Sequence, residues 1–96
     1  MFRLLLALLF CGDPLPAATF YALPGLTVPA GQPVELGWAV VGATDVWVET
    51  DDGWQSVPAV GKCWVMPKQS RWYALLCWND CGGEWCEVGI LVEDGR

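Results

Sequence analysis

The sequence predicts an all-β fold, an antiparallel sandwich of two sheets with about seven strands. Short apolar stretches alternate with polar residues at a period of two, and glycine or proline separates them. No stretch of about ten residues shows helical periodicity. Because 96 residues allow only one domain, the strands are expected to pack in two layers around one core. A barrel also satisfies this pattern.

The alternation gives the inward row of each predicted strand. The first strand is expected around Leu26 and Val28, between two prolines, and a short one is expected around Trp54 and Val57. The other inward rows are Val34, Leu36, Trp38 and Val40; Val46 and Val48; Cys63 and Val65; Tyr73, Leu75 and Cys77; and Val88, Ile90 and Val92. Asp51-Asp52-Gly53 is a hairpin signal between two of these strands.

Three blocks of sequence carry a resemblance to a known family. They are A-G-Q-P-V-E-L-G-W-A-V-V-G-A-T (Ala30 to Thr44), G-K-C-W-V-M-P (Gly61 to Pro67) and Y-A-L-L-C-W-N (Tyr73 to Asn79). In this order and spacing, the chain over roughly residues 19 to 92 resembles the immunoglobulin-like (Ig-like) domains of bacterial surface proteins. The resemblance implies a small Ig-like β-sandwich in which Gly42 lies in a turn and the Tyr73 hydroxyl anchors a strand. It implies no catalytic residues.

The N-terminus has the layout of a secretory signal peptide. Residues 2–11 place Arg3 before an apolar run of about eight residues, and the small pair Ala17-Ala18 follows. The run is too short for the bilayer core of roughly 30 Å, which takes about 20 helical residues, so no transmembrane span is expected. Residues 1–18 are predicted to be a signal peptide or a short hydrophobic anchor, and residues 19–96 the folded domain.

The residues around this boundary leave the site of processing open. Cleavage after Ala18 is the first expectation, with cleavage after Ala17 or Ala22 as alternatives. Cys11 resembles a lipoprotein cysteine, but the bulky Phe10 precedes it where such processing prefers a small residue. The mature protein is expected to be exported to the extracellular space, the cell surface, the periplasm or a virion surface.

Composition excludes nucleic acid as a partner. The formal net charge is −6, with a sequence pI of about 4.2, and no cluster of lysine or arginine offsets it. Such a chain repels phosphate backbones, and the same charge opposes attachment to anionic lipid.

Four late cysteines predict a disulfide framework in an exported domain. Three pairings are possible for Cys63, Cys77, Cys81 and Cys86. Inward phase on facing strands favours Cys63–Cys77, and hairpin spacing across residues 82–85 favours Cys81–Cys86. A zinc site of four thiolates is an alternative with atypical spacing, and free or intermolecular thiols are another.

The chain lacks the residues that most enzymes need. It contains no histidine, which removes the commonest general base and metal ligand. Acidic residues at Asp45, Glu49, Asp51 and Asp52 are compatible with calcium, but turn chemistry already explains the last two. We therefore expect no enzymatic activity, no cofactor and no metal.

The seven tryptophans are the feature most directly related to function. Trp38 has the inward phase of a core residue, whereas Trp47, Trp64 and Trp78 have the outward phase. The hypothesised binding surface is the outer face of one sheet, formed by Trp47, Leu76, Trp78 and Leu91. Exposed aromatic side chains suit protein interfaces and sugar stacking, although loops or neighbouring side chains can also cover them.

These features favour a non-catalytic, exported interaction module. In the first hypothesis it binds a protein partner, or assembles with copies of itself into a cell-surface filament or virion exterior. The second is a carbohydrate-binding module that uses the outward tryptophans, and the third is a periplasmic accessory or inhibitor lipoprotein. All three require exposed aromatic side chains on a stable sandwich.

Overall fold

The computed structural model describes residues 14–93 of the chain, and over these residues the fold consists of strands. Cys11 and the apolar run of the predicted signal peptide lie outside them. The eight strands are β1 (Ala17–Leu23), β2 (Thr27–Pro29), β3 (Val34–Val41), β4 (Asp45–Thr50), β5 (Gly53–Ser56), β6 (Val60–Val65), β7 (Arg71–Asn79) and β8 (Gly82–Glu93).

The strands form two sheets, which confirms the predicted small all-β sandwich. The three-stranded sheet has the order β1-β3-β6, and the five-stranded sheet has the order β2-β8-β7-β4-β5. Neighbouring strands are antiparallel except β2 and β8, which run parallel. The strand absent from the prediction is β1, because Ala17–Leu23 spans the expected end of the signal peptide.

The core lies between the sheets and is built from the predicted inward rows. Its fully buried side chains include Leu36 from the three-stranded sheet and Val48, Tyr73, Leu75 and Ile90 from the five-stranded sheet. Alternation therefore identified the faces correctly, because a period of two leaves one face of each strand toward the other sheet.

Trp38 is a core residue, as predicted. Its side chain is 3% exposed, and its indole N–H donates a 2.9 Å hydrogen bond to the carbonyl of Pro58. The ring packs against Gly61 on the neighbouring strand β6. A buried tryptophan needs a partner for its single donor, and here the loop before β6 supplies it.

Two glycines make the predicted turns possible. Gly42 has a φ of 84° between β3 and β4, and Gly53 has a φ of 101° where β5 begins. Side chains disfavour this left-handed region, whereas glycine adopts it without a Cβ clash. The Asp51-Asp52-Gly53 hairpin is thus present, and it joins β4 to the edge strand β5.

Tyr73 anchors the start of β7 through its hydroxyl, but not to the main chain as in the immunoglobulin tyrosine corner. The buried hydroxyl donates a 2.7 Å hydrogen bond to Oδ1 of Asp51. The other oxygen of Asp51 accepts the amide of Met66 at 2.8 Å. Arg71 lies 3.6 Å from the same carboxylate and 4.1 Å above the Tyr73 ring. One carboxylate in a turn therefore ties β4, β6 and β7 together.

The first strand is continuous with residues before the expected domain boundary. Ala17 and Ala18 pair with Val41 and Val40 in β1, and Pro16 is buried. Asn79, which is 9% exposed, donates from Nδ2 to the carbonyl of Pro14 at 2.9 Å. Cleavage after Ala18 would remove this acceptor and two residues of β1.

The structure forms neither predicted disulfide, because the thiols of Cys63, Cys77 and Cys86 are free. Cys63 on β6 and Cys77 on β7 lie in opposite sheets and contact the same part of the core, as their inward phase predicted, but no disulfide joins them. The stretch 82–85 is the start of β8, not a hairpin loop. Cys86 is therefore about 16 Å along an extended chain from Cys81, which is far beyond disulfide reach.

Candidate functional site

The four predicted binding residues lie on the outer face of the five-stranded sheet. Trp47 on β4 is directly opposite Leu76 on β7, and Trp78 is opposite Asp45. Leu91 lies near the other end of β8, opposite Thr27. Alternation places them here because their sequence neighbours on β4, β7 and β8 point into the core.

The four side chains share the outer face but differ in exposure. Leu91 is 57% exposed, whereas Trp47, Leu76 and Trp78 are only half-buried to partly exposed. Leu91 is also separated from them, since it lies roughly 20 Å along β8 from the part of the strand opposite Leu76. The structure thus brings three of the four residues together and leaves the fourth apart.

Three other tryptophans on the same face are more accessible than the predicted ones. Trp54 is 41% exposed, Trp72 64% and Trp85 54%. Trp85 is opposite Leu76, and Trp72 is opposite Gly89. We call the outer surface formed by Trp47, Trp54, Trp72, Leu76, Trp78, Trp85 and Leu91 the aromatic face.

Trp54 and Trp85 are in contact although two strands separate them. Their ring centroids are 5.7 Å apart, with an angle of 55° between the planes. Trp54 is on β5 and Trp85 on β8, with β4 and β7 between, a backbone separation of about 14 Å at the usual strand spacing. The two indoles therefore lean toward each other above Trp47 and Leu76, which explains why those two are not freely exposed.

This cover leaves one polar atom without a partner. The indole Nε1 of Trp47 is buried and makes no hydrogen bond within residues 14–93. An unsatisfied buried donor costs about 1 to 3 kcal/mol, and such groups are rare in folded proteins.

The second aromatic feature of the face is Trp72, whose ring lies over Gly89. A Cβ atom on Gly89 would come within 2.9 Å of the ring, so glycine is required for this packing. Trp72, Gly89 and Leu91 line a shallow groove of about 340 Å³ together with Ser70, Arg71 and Ile90. The groove continues the aromatic face toward the end of β8.

The charged side chains with the outward phase of the aromatic face are acidic, and Arg71 lies at its edge. Asp45, Glu49 and Glu87 share the outward phase of its strands. Glu49 lies 3.8 Å from Arg71, and Asp45 accepts a 3.1 Å hydrogen bond from the Thr44 hydroxyl. Within the described part of the chain, Glu87 has no ion pair or hydrogen bond.

The outer face of the three-stranded sheet is also apolar but carries balanced charge. Its exposed apolar side chains are Tyr21, Leu23, Val41, Val60 and Trp64. Glu35 and Lys62 form an ion pair of 3.7 Å there, and Trp64 is opposite Glu35. Trp64 is 66% exposed, which agrees with its predicted outward phase. We call this surface the neutral face.

The thiols of Cys63, Cys77 and Cys86 face inward and are not poised for chemistry. Burial raises the pKa of Cys63, Cys77 and Cys86, with smaller contributions from Asp51 at Cys63 and from Glu84 near the other two. A raised pKa keeps each thiol protonated and weakly nucleophilic at neutral pH. Residues 14–93 contain no group of three or more histidine, cysteine, aspartate or glutamate side chains placed to hold a metal ion.

Two further findings bear on function. Across the described residues, no helix has the length and apolar character needed to cross a membrane. Comparison with known proteins gives no matching family model and no matching curated protein.

Proposed function

We propose that this chain is a non-catalytic interaction module that binds a protein partner through the aromatic face. The observation that carries the proposal is the exposure of Trp54, Trp72 and Trp85 on one sheet surface. Tryptophan is enriched among the residues that dominate binding energy at protein interfaces. Large apolar patches on small soluble domains commonly mark such surfaces.

The geometry of the aromatic pair favours a protein over a carbohydrate. Sugar rings stack on flat aromatic platforms, whereas the planes of Trp54 and Trp85 are inclined by 55°. An inclined pair presents a ridge rather than a flat platform, and this shape fits side chains better than pyranose rings. Carbohydrate binding is therefore the alternative that the test must separate.

The strand order supports the proposed Ig-like identity. In immunoglobulin domains one sheet contains strands G, F and C, extended by C′ in variable-type domains, and the other contains A, B, E and D. Here β8-β7-β4-β5 follows the first order, and β1-β3-β6 follows A, B and E, with no strand D among the described residues. We further propose that the module is exported and works at a cell surface, in a filament or on a virion exterior. A periplasmic accessory or inhibitor lipoprotein is the remaining alternative.

Capture from the native envelope or particle tests the proposal. Wild-type protein is compared with Trp85→Ala, which removes half of the aromatic pair, and with Trp64→Ala, an exposed tryptophan on the neutral face. A stoichiometric protein retained by wild type and Trp64→Ala but lost by Trp85→Ala is the expected result. Capture of glycan alone, or equal capture by all three proteins, would contradict it.

A further inference from the structure

Glu87 is an unpaired carboxylate within the apolar part of the aromatic face. On β8 it lies between Trp85 and Gly89, the glycine that the Trp72 ring covers. Directly opposite is Ala74, which is only 2% exposed although it shares the outward phase. The neighbours of Glu87 on this sheet surface are therefore apolar side chains.

No cation of the described chain is placed to neutralise Glu87. Lys62 lies on the neutral face and pairs with Glu35, and Lys68 is in the loop between β6 and β7. Arg71 is held between Glu49 and Asp51 at 3.8 and 3.6 Å. In the free protein, water solvates the exposed Glu87 carboxylate.

A partner that covers both Trp85 and Trp72 must also cover the residue between them. Removing a carboxylate from water is strongly unfavourable unless a cation or several donors replace the lost hydration. An apolar or acidic partner surface would thus bind the indoles and lose that energy at Glu87. A cationic side chain at this point recovers it and gains contact with the indoles.

We infer that the partner presents an arginine, or less favourably a lysine, between the side chains that contact Trp85 and Trp72. This inference rests on the proposed function and specifies its partner. Arginine fits best because a planar guanidinium stacks on an indole while it donates two hydrogen bonds to one carboxylate. Cation–π contact with tryptophan further favours a cation at this point. The partner is accordingly a protein surface with a basic residue inside an apolar patch.

The experiment follows the tryptophan indole N–H resonances by two-dimensional NMR, since each indole reports on its own surroundings. The probe is the capped peptide acetyl-Gly-Leu-Arg-Leu-Gly-amide. The control peptide carries citrulline, a neutral isostere, in place of arginine, and cellohexaose serves as a neutral glycan. The proteins are wild type, Glu87→Gln, Trp85→Ala and Asp52→Asn, the last an equal charge change in the β4–β5 turn.

The arginine peptide is expected to shift the indole signals of Trp72 and Trp85 while that of Trp64 stays in place. Its affinity should fall about fivefold in Glu87→Gln, or on replacing arginine by citrulline, which corresponds to about 1 kcal/mol. Asp52→Asn should bind as wild type does, apart from a small general loss from the reduced net charge.

Two failures are distinguishable. If both peptides bind equally, or Glu87→Gln binds as wild type while Trp85→Ala does not, the aromatic face binds ligands and the cation inference is wrong. If Trp85→Ala changes nothing, or Trp64 shifts as strongly as Trp85, the aromatic face is not the binding surface and the proposed function fails with it. Absence of any shift up to millimolar peptide, or shifts with cellohexaose alone, also overturns the inference.

Discussion

The two outer faces of the sandwich use aromatic residues in different ways. On the neutral face, the Tyr21 ring packs over Gly37 and Trp64 stands alone. On the aromatic face, Trp72 packs over Gly89 in the same manner, but Trp54 and Trp85 also reach across two strands to touch. An aromatic ring that packs over a glycine is therefore found on both sheets. A contact between two tryptophan rings is found only on the aromatic face, among the described residues.

The neutral face and the aromatic face differ in the pairing of their charged side chains as well as in the packing of their aromatic rings. Glu35 on the neutral face has Lys62 as its partner, whereas Glu87 on the aromatic face has none within residues 14–93. Exposed ion pairs contribute little stability, so the pairing matters mainly for which partners each face accepts. The two faces therefore differ less in having exposed tryptophans than in the contacts of those tryptophans and in the charge among them.

The largest loss of stability is expected from removing the Asn79 side chain, which connects the two sheets. Asn79→Ala removes the amide that donates to the Pro14 and Gly42 carbonyls and accepts the Cys81 amide, three contacts of 2.8 to 2.9 Å. Because these groups lose their partner in a part-buried site, the free energy of unfolding should fall by about 2 to 3 kcal/mol. Urea unfolding measures it.

The neighbouring residue provides the control for this change. Asp80→Ala alters an exposed side chain in the β7–β8 turn and should shift stability by no more than about 0.5 kcal/mol. Equal losses in the two variants would show that the turn, not the link to the start of β1, stabilises this end of the sandwich.

The second prediction concerns the tie beneath the aromatic face. Tyr73→Phe deletes the hydroxyl that donates to Asp51 and should cost about 1 to 2 kcal/mol at neutral pH. Tyr21→Phe is the matched control, since that hydroxyl lies on the neutral face, half-exposed. Thermal unfolding of the two variants should therefore differ clearly.

The same hydroxyl predicts a pH dependence. Burial, followed by the hydrogen bond and charge of Asp51, raises the pKa of Tyr73. A raised folded-state pKa means that the stabilising contribution is complete below about pH 10, the unfolded value, and is lost as pH rises above it. Wild type should thus lose more stability between pH 9 and 11 than Tyr73→Phe. Equal losses would assign the alkaline effect to the buried thiols, whose raised pKa values act in the same direction.

The sequence predicted much of the fold but only part of the site. Alternation identified Trp38 as core and Trp64 as outward, because strand faces follow directly from a period of two. It could not identify Trp54 and Trp85 as a pair, since their contact spans two intervening strands and depends on sheet order. The sequence predicted a hairpin loop at Gly82-Gly83 because glycine is depleted in strands, but strand β8 begins there.

The third prediction removes the contact that distinguishes the aromatic face. A double-mutant cycle of Trp54→Ala and Trp85→Ala should give a coupling of about 0.5 to 1.5 kcal/mol, as expected for an aromatic pair. The free energy of unfolding falls by a limited amount in each variant, because removing either ring lets water hydrate the buried indole N–H of Trp47. The Trp64 ring has no aromatic partner in the described structure, so Trp64→Ala should change the free energy of unfolding by less than about 0.5 kcal/mol. Zero coupling would mean that the two rings contribute independently.

The smallest loss of stability is expected from a change that makes the neutral face resemble the aromatic face in charge. Lys62→Ala leaves Glu35, whose side chain is 16% exposed, without its cation beside Trp64. Stability should fall by less than about 1 kcal/mol, as for other partly exposed ion pairs.

The Lys62→Ala variant then presents an unpaired carboxylate next to an exposed indole, the arrangement that Glu87 and Trp85 form on the aromatic face. The arginine peptide should therefore shift the Trp64 indole signal in Lys62→Ala but not in wild type. The shift should remain weaker than that of Trp85, because a single indole offers less contact area than an aromatic pair. A Trp64 signal that ignores the peptide in both proteins would show that an unpaired carboxylate beside a tryptophan is insufficient, and that the contact between Trp54 and Trp85 decides which face binds.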